Sequence, residues 1–520
     1  MTESVRHFAA LDIGSNSLNL ALVRIGEDGR WEQVGRHKET VRLAEGLEAA
    51  GNLLTEDAME RALDALGRCL EYARGYDAPV RAVATSAMRE ARNRQELLDR
   101  IQEKLGLHVD VVSGFEEARL IWLGLQTDPA LAGKRVLSVD IGGGSAEFCL
   151  GHDDHLDFAS SLPLGGVRLA GRFFPDGDVT PKTLKACREW VDGRIEPIVR
   201  AMRGSRWDVA LASAGTVGNL VRMAVERREG KAPLRLHRLQ VSRDELLAVC
   251  QEVCQVKTTK QRRKLPGIDE KRADILPAGA VVIEQVIRRL GIDSLAWSNH
   301  GLREGVVRDW MERELHAQGT PELVSWRRRG VEDLAEAFSL DRRHDVQVER
   351  LARDLFLQLQ PEHGLDENSG ELLEAAAHLH EVGLRVGFEE HHKHSYYVIR
   401  HSHLLSGFVD LEIERIAQIA RYHRKSHPKA SHTEWMLLPL EMRRQVEILA
   451  GILRVADGLD RRHRGNVAGV RVRRRSGHLV IEVMAAPNED TSMEVWGADT
   501  KKSLLETVLG KNITLVQEEP

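Results

Sequence analysis

Two rhythms of apolar residues divide this chain. In the first third, short apolar runs at 9–13, 18–25, 80–84 and 109–112 alternate with stretches at 56–72 and 94–105 whose apolar residues fall three or four apart. The short runs predict strands, the wider spacing predicts helices, and their alternation predicts α/β layering. A second α/β segment opens with the apolar run 136–141 and continues to about residue 313, with a late strand over 294–298 leading into Gly301 and a helix. From 326 to 463 only the helical rhythm remains, as in Leu372, Leu373, Ala376 and Leu379, with many histidines between. That stretch reads as a separate helical domain. Beyond residue 464 alternation returns at 467–472, 479–483 and 492–496, before a closing helix and strand. The expected division is 1–125, 126–315, 316–464 and 465–520, the last a small α+β domain. A chain of 520 residues exceeds the roughly 250 to 300 at which a single core stops growing.

The two α/β segments share a local signature. Asp12-Ile13-Gly14-Ser15-Asn16-Ser17 and Asp140-Ile141-Gly142-Gly143-Gly144-Ser145 each set an Asp near a strand end, then glycine or small polar residues, then a Ser five residues after the Asp. The match marks an internal repeat. Alternating apolar residues resume after each loop (Leu18, Leu20, Leu22; Ala146, Phe148, Leu150), so each loop is the turn of a β-hairpin. Glycine there lets backbone N–H groups turn inward and approach a phosphate. An Asp cannot itself bind phosphate favourably, but Asp12 and Asp140 can hold Mg²⁺ or Mn²⁺, which bridges to phosphate oxygens. Asp and Gly are also common in ordinary hairpin turns, and only the matched pair points to a metal-centred phosphate clamp. Neither loop carries the Lys-Ser or Lys-Thr of a P-loop, and neither fits the dinucleotide fingerprint.

Charge narrows the ligand class. The formal net charge of −5 excludes a generic polyanion binder, and no nucleic-acid partner is expected; attraction to a phosphate chain must come from local clusters. One cluster runs through Lys260, Arg262, Arg263 and Lys264 to Lys271 and Arg272. The run from Lys260 to Lys264 would usually be a solvated face, but with Arg92 and Arg168 it could lead a polyanion toward the loops. The five cysteines are odd in number and scattered, which argues against a disulfide framework or a zinc site. No apolar run reaches the roughly 18 residues of a membrane span, and the expected location is the cytoplasm.

The paired Asp-x-Gly loops resemble the phosphate-binding hairpins of the actin, hexokinase and heat-shock ATPase superfamily. That resemblance implies an α/β fold of two actin-like (ribonuclease H-like) domains around a cleft. Further segments follow in order: Ala84-Thr85-Ser86-Ala87-Met88-Arg89, Ser113-Gly114-Phe115-Glu116-Glu117-Ala118-Arg119-Leu120, Pro163-Leu164-Gly165-Gly166-Val167-Arg168-Leu169, Ala212-Ser213-Ala214-Gly215-Thr216-Val217 and Gly301-Leu302-Arg303-Glu304-Gly305. With the loops, they resemble the exopolyphosphatase and guanosine pentaphosphate phosphohydrolase family. His378-Leu379-His380-Glu381-Val382-Gly383 and Tyr422-His423-Arg424-Lys425 carry the likeness into the helical domain. The family implies Mg²⁺-dependent hydrolysis of a terminal phosphoanhydride, of inorganic polyphosphate or guanosine pentaphosphate, and a homodimer.

Such a reaction needs a phosphoryl group held in line with a water, its charge neutralised, and the water oriented or deprotonated. Glu117, in a first helical turn after a Ser-Gly turn, is the expected base. Acids there also favour the helix dipole, which accounts for one of Glu116 and Glu117; the resemblance matches the second to the catalytic position. Arg89 follows a Thr-Ser turn, where a guanidinium can fork onto phosphate oxygens. Ser15, Asn16, Ser17, Gly142, Gly143, Gly144 and Ser145 would cradle the phosphate, and Gly215 and Thr216 would line the same cleft.

In the helical domain His344, His380-Glu381 and Asp457 fall in the order of an HD-type metal phosphohydrolase, with His401, His403 and His423 between them. Glu381 stands where that pattern has Asp, one methylene longer, which puts a metal there in doubt. The same histidines could instead be structural, or cationic contacts for phosphate. Three other readings compete with the hydrolase: a small-molecule kinase of the same superfamily, a non-catalytic polyphosphate or alarmone sensor, and a second hydrolase in the helical domain.

Overall fold

The computed structural model describes residues 6–518 apart from 27–29, 234, 318–325, 403, 406 and 476. His403 therefore lies outside the described residues. The chain forms two compact units, Met1–Leu323 and Val324–Pro520.

Unit one holds two sheets. The first contains β1 (Arg6–Ile13), β2 (Ser17–Ile25), β3 (Trp31–Thr40), β4 (Val80–Ala84) and β5 (Val109–Val111), in the order β3-β2-β1-β4-β5. β1 pairs antiparallel with β2 and parallel with β4. The second contains β6 (Arg135–Ile141), β7 (Ala146–His152), β8 (His155–Leu162), β9 (Val209–Ser213), β10 (Gln240–Ser242) and β11 (Ser294–Trp297), in the order β8-β7-β6-β9-β11-β10. Again the first strand pairs antiparallel with its hairpin partner and parallel with the strand after the crossover. The first four strands of each sheet share the order 3-2-1-4, so the internal repeat seen in the loops extends to the core of each lobe. Each lobe has its own apolar core, one around Leu11, Leu20 and Leu66, the other around Val139, Phe148 and Ile283.

The lobes exchange helices. Helix Gly114–Leu125 buries Ala118, Ile121 and Trp122 against Val136 and Cys149 of the second sheet. Helix Leu302–Ala317 returns to the first sheet, where Trp310 stacks on Phe8 with ring centroids 4.1 Å apart. A buried network ties them: Arg119 donates to Glu116 at 2.7 Å and to Asp309 at 2.5 Å, and Arg81 reaches Asp309 at 2.6 Å. Cutting the chain at 125 would therefore separate a helix from the sheet it covers.

Unit two is mostly helical, with Arg342–His363, Glu367–Leu379, Asp410–Arg421 and Leu440–Gly458 around one core. A three-stranded sheet, β12 (Val467–Arg475), β13 (His478–Ala485) and β14 (Asn512–Gln517), shares that core through Val470, Ile481 and Leu515. The stretch expected to alternate at 492–496 is instead helix Ser492–Asp499. Its apparent alternation is misleading: Trp496 is exposed, whereas Glu494 is buried and paired with Arg462 at 2.6 Å. Five residues are too few to separate period 2 from period 3.6. Among the described residues no helix is long and apolar enough to cross a membrane.

Candidate active site

The two hairpin loops face one another across a cleft of about 210 Å³ in unit one. Each is closed by the same backbone bond: Gly14 N–H donates to Ser17 O at 3.2 Å, and Gly142 N–H to Ser145 O at 3.0 Å. In each, carbonyl oxygens are engaged behind the loop. Val41 and Arg42 N–H donate to Asn16 O, while Gly166, Val167 and Gly165 N–H donate to the carbonyls of Gly142, Gly143 and Gly144. The N–H groups of Ser15, Asn16, Gly143 and Gly144, which are not used in these bonds, are what the loops can offer an anion. A Cβ at Gly144 would come within 2.5 Å of Ser15 Oγ and 2.4 Å of Ser86 Oγ, so only glycine permits this approach.

Carboxylates form the floor. Asp12 ends β1 and accepts from Asn19 Nδ2 at 3.2 Å; Asp140 ends β6 and accepts from Ser213 Oγ at 2.5 Å. Glu117 sits in the first turn of Gly114–Leu125, which Ser113 Oγ caps by accepting from Glu116 N at 3.1 Å. Burial pushes the Asp12 carboxyl up to about 7, with Glu117 and Asp140 adding repulsion against the pull of Arg303. Burial likewise pushes Asp140 up to about 6. Glu117 is raised by burial, with Arg89 opposing. Asp12 and Asp140, two hard oxygen donors lining one cleft, fit Mg²⁺ or Mn²⁺, which is commonly held by one or two carboxylates together with water and substrate phosphate oxygens.

Cations and unpaired donors face the acids. Arg303 Nη1 and Ser15 Oγ are buried with no hydrogen-bond partner, which is uncommon and points to an anionic ligand. Arg36, Lys38 and Arg272 line the same cleft. Desolvation, with Arg272 and Arg36 alongside, lowers the Lys38 ammonium to about 8. Ala214 holds φ at +62°, a left-handed value unusual for alanine, and its carbonyl accepts from Trp297 Nε1 at 3.1 Å. This strained elbow aims the start of helix Ala214–Glu229, with Gly215 and Thr216, into the cleft.

The sequence model of the Ppx/GppA phosphatase family matches residues 22–314, more than half of the chain, and that of Ppx/GppA phosphatase domain III matches 326–499. The chain belongs to the Ppx/GppA phosphatase family. Among solved structures it is similar to an exopolyphosphatase from Cytophaga hutchinsonii, at 27% identity and a TM-score of 0.55 over 59% of this chain and 98% of that one. An exopolyphosphatase-like protein matches at 28% and 0.55 over 60% and 100%, and an Aquifex aeolicus family member at 25% and 0.50 over 61% and 99%. This Ppx/GppA phosphatase is a phosphoanhydride hydrolase.

Of the residues singled out in its sequence, Asp12, Ser15, Asn16, Ser17, Glu117, Asp140, Gly142, Gly143, Gly144, Ser145, Gly215 and Thr216 all line the cleft. Arg89 does not; its Nη1 donates to Glu117 Oε2 at 2.9 Å and to Val112 O at 3.0 Å, bracing the carboxylate. Arg168 donates to Gly144 O at 2.8 Å and to Glu90 at 2.5 Å, so it ties down the loop instead of guiding a polyanion. Arg262 corrects the sequence expectation: it is wholly buried and donates to the carbonyls of Ala273, Val256, Lys257 and Gly177, a structural role. Arg92, Arg263 and Lys264 are exposed and outside the cleft lining.

Four cations lining the cleft of the Ppx/GppA phosphatase, and one buried acid behind its lining, were missed in the sequence. Arg36 and Lys38 share one face of β3 by their two-residue spacing, a weak signal in a polar strand. Arg272 and Arg303 arrive from distant segments. Glu147, buried and raised well above the ordinary range by burial and by Glu117 and Asp140, accepts from Ser161 Oγ at 2.7 Å. Its signal was the repeat: Asp140 pairs with Glu147 across β6 and β7 as Asp12 pairs with Asn19 across β1 and β2.

In unit two, His344, His380 and Asp457 are brought together, their candidate ligand atoms within 4.8 Å of one another; Glu381 groups separately with His344 and His463. His423 lies beside His380, with ring centroids 5.0 Å apart, whereas His401 is exposed.

Proposed function

We propose that this phosphatase is an exopolyphosphatase that, with Mg²⁺ or Mn²⁺, hydrolyses the terminal phosphoanhydride of inorganic polyphosphate and releases orthophosphate. The observation that carries the reading is the convergence of two phosphate-type loops on the half-buried Asp12 and Asp140, whose carboxyls are raised. Held by Asp12 and Asp140, a divalent cation would supply charge neutralisation at the phosphoryl oxygens.

The protein groups do the rest. Loop N–H groups and the Ser15 and Ser145 hydroxyls hold the terminal phosphate. Glu117, positioned by Arg89, takes a proton from a water whose oxygen attacks the terminal phosphorus while the bridging P–O bond breaks. The leaving oxygen carries its negative charge away on the shortened chain, where Arg303, Arg272, Lys38 and Arg36 offset it. The family's homodimer belongs to this reading and is tested by light scattering.

The deciding assay is orthophosphate release from long-chain polyphosphate with Mg²⁺. Release that disappears in Glu117→Gln and under EDTA supports the assignment; a folded wild type that releases none from polyphosphate overturns it.

One observation favours guanosine pentaphosphate as a second substrate. A chamber of about 540 Å³ adjoins the cleft at Asn16, Gly144 and Ile275 and has apolar walls from Leu47, Val167, Ala170 and Phe174. Its cations are already engaged, Arg42 with Asp274 at 2.8 Å and Arg172 with Glu48 at 2.9 Å. Such walls suit a nucleoside better than a continuing phosphate chain, and the volume falls within the roughly 300–1,000 Å³ of small-molecule sites.

A further inference from the structure

The cluster in unit two has half the anatomy of a metal centre. His344 Nδ1 is held by Asp460 Oδ2 at 2.8 Å, and His380 Nδ1 by the Ala377 carbonyl at 2.7 Å. Each ring thus turns its Nε2 inward, and both Nε2 atoms are buried without a hydrogen-bond partner. An imidazole anchored by one nitrogen with the other pointing at a carboxylate is how proteins present histidine to a metal. The carboxylate is Asp457, with Oδ1 3.7 Å from His344 Nε2.

The other half is occupied by the chain itself. Lys501 Nζ donates to Asp457 Oδ2. Lys501 lies in the turn between helices Ser492–Asp499 and Ser503–Leu509, and its position is set by backbone packing. A Cβ at Gly458 would stand 2.5 Å from Ala498 Cα, so the first of these helices rests directly on the end of the helix that carries Asp457. That contact delivers the ammonium to the carboxylate. Asp457 is the one carboxylate in the His344, His380 and Asp457 set. A divalent ion would have to share it with a positive charge already in place, and the mutual repulsion of the two cations is poorly screened in a buried site.

We propose that the Lys501 ammonium stands in the place of a divalent metal in unit two, making this histidine cluster a buried ion pair and not a metal centre. The inference is independent of the chemistry in the cleft. With Lys501 present, Asp457 is compensated by a cation that needs no ligand field, and the two imidazole Nε2 atoms stay without a hydrogen-bond partner. With Lys501 gone, Asp457 is left buried beside two free imidazole nitrogens, a donor set that suits Zn²⁺.

The test is metal content of the full chain after Zn²⁺ loading and gel filtration, for wild type, Lys501→Met, His380→Ala and the double variant Lys501→Met/His380→Ala. Zinc held by the cleft carboxylates is common to all four and cancels. The expected result is equal content in wild type, His380→Ala and the double variant, with about one additional equivalent in Lys501→Met, whose Tm then rises on zinc addition while that of wild type does not change by this route. An equivalent present in wild type and lost in His380→Ala would overturn the proposal, as would a folded Lys501→Met that gains no zinc. If Lys501→Met does not fold, Lys501→Gln and the pair Asp457→Asn/Lys501→Met decide. Folding of that pair without metal supports an ion pair, as does a Lys501→Gln that folds only when zinc is supplied; failure of the pair to fold with or without zinc overturns it.

Discussion

Asp12→Asn should make the metal-free protein more stable while abolishing its activity. The Asp12 carboxyl is pushed from 3.8 up to about 7, roughly three units at about 1.36 kcal/mol each, so holding it ionised without a cation costs on the order of 4 kcal/mol. Water entering the open cleft makes this an upper bound. A raised carboxyl pKa adds stability that is complete below the unfolded value of 3.8 and is lost as pH rises through about 7. Asparagine keeps the shape and can still accept from Asn19, but carries no charge. In EDTA, the stability gain of Asp12→Asn over wild type should be near zero at pH 4, grow through pH 5 to 7, and level off by about pH 8. Mg²⁺ should then stabilise wild type strongly and the variant weakly, because a ligand must be deprotonated before a metal binds it. Chemical denaturation at several pH values, with and without Mg²⁺, measures both. If Asp12→Asn is the less stable protein at pH 8 in EDTA, or Mg²⁺ stabilises both equally, the carboxylate is not a buried charge awaiting a cation and the argument fails.

Other outcomes follow from the same cleft. Glu117→Gln should lower kcat by about 10² to 10⁴ with little change in stability, since Gln still accepts from Arg89; orthophosphate release and a melting curve check both. Arg303→Met should raise the Asp12 and Asp140 carboxyls further, because Arg303 holds both down. The acid limb of the kcat/KM profile at fixed Mg²⁺ should therefore move to higher pH, and an unmoved limb would show that those carboxyls do not govern metal binding. Gly171→Leu projects into open space in the second chamber. It should raise KM for guanosine pentaphosphate while leaving that for polyphosphate unchanged, and an equal effect on both would remove the nucleoside from that chamber.

What the sequence determined by itself was local and repeated. The Asp and Gly-Ser elements of both loops, the capped turn holding Glu117 and the lobe order behind them are written in contiguous residues and in period-2 and period-3.6 patterns, which act over a few residues and are readable there. The histidine order of unit two was equally legible. Tertiary structure decided what depends on distance through space. Of two adjacent acids, Glu116 was consigned to a buried pair with Arg119 and Glu117 to the cleft. Of one basic run, Arg262 was drawn inside because four backbone carbonyls were waiting for it, while Arg272 reached the cleft and Arg263 and Lys264 stayed in water. Arg303 came to the carboxylates on a helix that returns to the first sheet, and Lys501 came to Asp457 because a helix rests on Gly458. A side chain's type fixes what charge it carries; only packing fixes which opposite charge it meets and how little water remains between them, and those two quantities set its pKa and its role.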